Sequence, residues 1–118
     1  SGPPATLEEF FRDFMQNFPS QILPENALGS GVIISPDGYI VTNHHVVARA
    51  ERIKVILLDD TEFTAKIIGS DEKNDLALLK VDNKKPLTFL RLGNSDKIRT
   101  GDWVVAIGNP FGIGHSVS

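Results

Sequence analysis

From Thr6 to about Phe18 the apolar residues Leu7, Phe10, Phe11, Phe14 and Phe18 recur at spacings of three and four. That period predicts an amphipathic helix, because residues so spaced share one face. Thr6 and Glu9 stand at capping-box spacing: the hydroxyl can accept from the Glu9 amide, and the Glu9 carboxylate can bond back to the Thr6 amide. Pro19 and Pro24 end the pattern. From Gly29 onward the period changes to short β-branched runs parted by turn residues. Val32-Ile33-Ile34 leads through Pro36-Asp37-Gly38, a tight turn, into Tyr39-Ile40-Val41, its hairpin partner. Further strands are expected from Ile53 to Leu58, Thr64 to Ile68, Leu76 to Val81 and Trp103 to Ile107, with Asp59-Asp60-Thr61 joining the third and fourth. The stretch from His45 to Ala50 has room for a turn or two of helix. Six short strands without a crossover helix imply an all-β fold, an antiparallel barrel or sandwich, behind an N-terminal amphipathic helix.

Composition narrows the class. The 118 residues suit one domain with a real core, and an apolar share of 41% excludes a disordered chain. The net charge is −3 and the basic residues alternate with acids, so no nucleic-acid partner is expected. Cysteine is absent, which leaves neither disulfides nor thiolate metal sites and leaves the compartment open. No apolar run approaches transmembrane length, and Ser1-Gly2-Pro3-Pro4 lacks the basic and apolar regions of a signal peptide.

Two residues are candidates for chemistry. A histidine acting as general base needs a carboxylate on its far ring nitrogen to fix the tautomer and to stabilise the imidazolium. His45 and Asp75 can fill these parts if the barrel brings the segment after strand two against the loop before strand five. Taken singly, each has an ordinary reading, a histidine on a short helix and an aspartate in a turn. Adjacent helical residues point about 100° apart, so His44 and His45 do not make a metal pair. No metal and no cofactor are expected.

A longer pattern changes the weight of these residues. Gly29-Ser30-Gly31-Val32-Ile33-Ile34, Gly38-Tyr39-Ile40-Val41-Thr42-Asn43-His44-His45-Val46-Val47, Asn74-Asp75-Leu76-Ala77-Leu78-Leu79-Lys80 and Gly101-Asp102-Trp103-Val104-Val105-Ala106-Ile107-Gly108-Asn109-Pro110-Phe111-Gly112 follow in order. Together they resemble the HtrA (Deg) family of trypsin-like serine proteases, over about Leu28 to Ser118. The resemblance implies that His45 is the catalytic base, Asp75 its orienting acid and His44 a variable position. It implies a fold of two six-stranded barrels, the first carrying histidine and aspartate and the second the serine, oxyanion hole and specificity pocket.

No serine here sits in a Gly-Xaa-Ser-Gly-Gly setting. Gly93-Asn94-Ser95 begins like that motif but continues Asp96-Lys97, and the oxyanion hole needs bare backbone amides there. Ser95 reads as a turn residue. Ser30 opens the first strand, upstream of the histidine. The expected organisation is therefore a helical arm over residues 1–27 and the first barrel over 28–118, cut before the second barrel and inactive alone. By resemblance, the parent would be a periplasmic endopeptidase acting on misfolded proteins or peptides. Its assembly would be trimer-based, and the isolated piece is expected to be an oligomer or a strand-swapped dimer. The alternative is a non-catalytic oligomerisation or binding module that works through the Phe-rich arm. Leaving five large apolar side chains in water costs about 1.5–3 kcal/mol each, so that face requires a cover.

Overall fold

The computed structural model describes residues 27–48, 52–90 and 103–109, together with Thr6, Glu9, Phe11, Arg12, Leu23 and Ala50. Six strands and one helical turn follow in order: β1 (Gly29–Ile33), β2 (Tyr39–Thr42), α1 (His44–Val47), β3 (Ile53–Leu57), β4 (Glu62–Asp71), β5 (Leu76–Val81) and β6 (Val104–Gly108). They close into a barrel of order β1-β2-β5-β4-β3-β6, and every neighbouring pair is antiparallel. The all-β expectation and the six-stranded barrel are both met.

Each strand reports how many of its faces are covered. In β5 the burial alternates, with Ala77, Leu79 and Val81 buried and Leu76, Leu78 and Lys80 half-buried. That is the period-two pattern of a strand with one face on the core. β6 is buried at all five positions, and so its sequence is an unbroken apolar run. Inside the barrel Ile33, Ile40, Ile53, Val55, Leu79, Val105 and Ile107 are fully buried in one cluster. Phe11 joins that cluster at 1% exposure, while Leu23 and Ala27 pack on a smaller one formed by Ile56 of β3 and Ala106 of β6. At these positions the N-terminal arm covers its own barrel. The Thr6 hydroxyl accepts from the Glu9 amide at 3.1 Å, as the capping box requires. Leu7, Phe10, Phe14 and Phe18 lie outside the described residues.

The connections follow their turn chemistry. Between β1 and β2 the Gly38 amide donates to the Ser35 carbonyl at 3.2 Å, and Gly38 adopts φ +99°, a conformation that side-chain-bearing residues avoid. Between β3 and β4 the Thr61 amide donates to the Asp59 carboxylate at 2.9 Å, and Asp60 takes φ +76°. The fourth strand runs well past the expected Thr64–Ile68 stretch, because a bulge between Ile67 and Gly69 lets it continue to Asp71 along β5. A bulge adds one residue to one strand and bends it, and here it carries the polar residues Gly69, Ser70 and Asp71 into the ladder.

Candidate active site

β2 ends at Thr42, whose hydroxyl is buried and donates to the Ser30 carbonyl of β1 at 2.7 Å. The chain then turns into α1, with Asn43 as its N-cap in an extended conformation. An N-cap asparagine usually bonds the free amides of its own helix. Here its Nδ2 instead donates across to the Asp75 carbonyl at 3.1 Å, which ties the start of α1 to the start of β5. Val46 packs on Gly29 so closely that a Cβ there would lie 2.7 Å from a Val46 methyl. The helical turn carrying His45 is thus fixed against both β1 and β5.

Asp75 is held through its backbone and through both carboxylate oxygens. It sits at φ +56°, in the left-handed region that aspartate and asparagine visit more readily than other non-glycine residues. Its amide donates to the Glu72 carbonyl at 3.2 Å. The preceding turn is braced by Asp71, which accepts from the Asn74 amide at 3.1 Å and from Asn74 Nδ2 at 2.8 Å. The turn aims the carboxylate at α1. Asp75 Oδ1 accepts from the His45 amide at 2.8 Å, and Asp75 Oδ2 stands 2.7 Å from His45 Nδ1. The structure thus brings together the two residues singled out in the sequence, 30 positions apart.

The electrostatics follow from these contacts. Partial burial pushes the Asp75 pKa up, but the hydrogen bonds from the His45 amide and ring, with the charges of His45 and His44, outweigh it. The carboxyl titrates below the value of an unperturbed aspartate. A depressed folded-state pKa adds stability that is fully present above the unfolded-state value of about 3.9 and is lost as pH falls through the folded-state value. The stability lost in Asp75→Asn, read as a urea midpoint against wild type, should therefore shrink as pH falls below about 4. A difference that stays constant into acid would show that the carboxylate is not held as described.

The His45 side chain is 70% exposed, so a reactant can reach its outer edge while Nδ1 is engaged. An imidazole whose Nδ1–H is bound to a carboxylate presents Nε2 as a free acceptor, the form a general base requires. The neighbouring His44 has its Nδ1 buried without a hydrogen-bond partner among the described residues. Ser30 is buried within β1 at 1% exposure, which removes it as a nucleophile, and Ser95 lies outside the described residues. Asn43 was not expected as a positioning residue. Its signal was an asparagine two residues ahead of His45, which reads as a plain helix cap.

Comparison with known proteins places the chain in a family. Residues 29–118 match the family model of the trypsin-like peptidase domain. A probable periplasmic serine endoprotease, DegP-like, of Rickettsia prowazekii (strain Madrid E) is 62% identical over 85 residues, 72% of this chain and 17% of the relative. The periplasmic pH-dependent serine endoprotease DegQ of Escherichia coli (strain K12) is 46% identical over 116 residues, 98% of this chain and 25% of the relative. Among solved structures, the HtrA-type protease AlgW with a decapeptide superposes with a TM-score of 0.51 at 51% identity, covering 63% of this chain and 22% of that one. The chain thus spans a quarter or less of the length of these relatives.

Proposed function

The chain belongs to the trypsin-like peptidase family, and from that premise we propose that it supplies the base and orienting acid of an HtrA-type periplasmic serine endopeptidase. The observation that carries this reading is the two-point grip of Asp75 on His45, one oxygen on the backbone amide and the other on ring Nδ1. A single contact would leave the ring free to rotate. Two contacts fix both the ring and the backbone that bears it, so that Nε2 is presented in one direction.

In the proposed reaction a serine hydroxyl from outside these 118 residues attacks the carbonyl carbon of a peptide bond. Its proton passes to His45 Nε2 as the oxygen–carbon bond forms. Asp75 remains ionised and stabilises the imidazolium. The same proton then goes to the leaving amine as the peptide bond breaks, and His45 next deprotonates the water that hydrolyses the acyl-enzyme. The substrates are misfolded proteins or peptides of the cell envelope; the names of the relatives support an endoprotease of the periplasm. The full-length protein assembles as a homo-oligomer.

This division of labour is tested with a fluorophosphonate probe, which reacts covalently with activated serines. The 118-residue chain should remain unlabelled. Labelling of any of its serines would reveal a nucleophile within it and overturn the proposed division.

A further inference from the structure

The barrel end opposite the His45–Asp75 pair gathers positive charge that the proposed proteolytic chemistry does not use. Tyr39, Lys80 and Lys66 stand side by side on β2, β5 and β4, with Tyr39 opposite Lys80 and Lys80 opposite Lys66. Opposed residues of an antiparallel pair project to one face, and like charges so placed repel. Lys80 is pinned in position: its Nζ donates to the Val81 carbonyl at 2.9 Å and lies 5.6 Å from the centre of the Tyr39 ring. Along β5, Lys80 is five residues beyond Asp75, about 17 Å at the usual strand rise. The two places are therefore separate.

The segment after β5 brings two more ammonium groups, Lys84 and Lys85, and it is clamped to the β1–β2 turn. Asn83 Nδ2 donates to the Pro36 carbonyl at 3.1 Å and to the Lys85 carbonyl at 2.7 Å. The Val81 amide donates to the Gly38 carbonyl at 3.0 Å, and the Leu87 amide to the Pro36 carbonyl at 3.1 Å. A Cβ at Gly38 would stand 2.6 Å from Asn83 Oδ1, so this approach depends on glycine. The lysine-bearing segment is thus ordered in advance, which lowers the entropy lost on binding.

Lys80, Lys84 and Lys85 line a cleft of about 540 Å³ together with Tyr39 and Asn83, and Asp37 is the one acid on its wall. Among the described residues Lys66, Lys84 and Lys85 form no ion pair. In a chain of net charge −3 this is a local excess of cation, and the volume lies within the range of small-ligand sites. No arginine is on the wall. Phosphate is bound by arginine forks and by lysine point charges alike, and the three ammonium groups here can meet a tetrahedral oxyanion from several sides.

We propose that this cleft binds a phosphate-bearing anion, either a soluble phosphate compound or a phospholipid head group. The test titrates the chain with inorganic pyrophosphate, followed by amide resonances, and floats it with vesicles of phosphatidylcholine with or without phosphatidic acid. Saturable shifts are expected at Tyr39, Lys80, Lys84 and Lys85. Lys84→Glu should weaken binding at least fivefold. Lys73→Glu, an equal charge change in the exposed turn beside Asp75, should leave it unaltered. A pyrophosphate response alone supports a soluble ligand, and vesicle binding that Lys84→Glu abolishes supports a head group. Absence of both, or equal weakening by the two variants, overturns the proposal.

Discussion

On the proposed mechanism, Asp75→Asn in the full-length protein is expected to lower kcat about 10⁴-fold while leaving the barrel folded. The reason lies in the two oxygens. Oδ1 accepts from the His45 amide and Oδ2 from His45 Nδ1, so both positions must be acceptors. A carboxamide offers one acceptor and one donor. If its oxygen stays on the backbone amide, its NH₂ faces Nδ1, which must then be the unprotonated ring nitrogen. The proton moves to Nε2, the nitrogen that has to receive the serine proton, and the base is lost. If the amide flips, its NH₂ opposes the His45 N–H and the grip on α1 loosens. Activity within tenfold of wild type, measured on a peptide substrate at a temperature where the variant is fully folded, would contradict the role given to this carboxylate.

Leu79→Ala is expected to destabilise the chain by about 2–5 kcal/mol, a large part of the 5–15 kcal/mol typical of a domain. Leu79 is fully buried at the centre of β5, opposite Ile40 of β2 and Ile67 of β4. Truncation removes transfer energy and leaves a cavity between β2, which leads to His45, and β5, which follows Asp75. Ile68→Ala is the control, since Ile68 is 54% exposed and its loss should change stability by no more than about 0.5 kcal/mol. Equal urea midpoints for the two variants would show that the core is not organised around β5.

The strands were legible because their burial leaves a direct trace in the sequence. β5 is apolar at every position but Lys80, since its second face is half-buried, and β6 is a continuous apolar run because both its faces are covered. The end of β4 left no such trace. Gly69, Ser70 and Asp71 read as turn formers, yet their backbones pair with Leu78, Ala77 and Leu76. Ladder hydrogen bonds are indifferent to side-chain polarity, so a bulged strand can run through residues that hydropathy assigns to a loop. The arm showed its helical period, but period alone does not say what covers an apolar face. Phe11, Leu23 and Ala27 lie against the barrel.

The site was legible in a different way. Spacing allowed His45 and Asp75 to meet without requiring it, and the resemblance to the HtrA family gave each its part. What neither supplied was the scaffold: Asn43 bridging to the Asp75 carbonyl, and the Asp71–Asn74 turn that aims the carboxylate. The Asn43 contact joins residues 32 positions apart, and the aim of the carboxylate depends on a left-handed backbone at Asp75; sequence patterns of short range carry neither.

The most direct measurement is the tautomer of His45, read from the ¹⁵N shifts of its imidazole at a pH where the ring is neutral. With the carboxylate of residue 75 accepting from the ring, Nδ1 carries the proton and Nε2 is bare, and Asp75→Asn should reverse the two. A proton on Nε2 in the wild-type chain would leave the imidazole unable to accept one, and the assignment of a general base would fail.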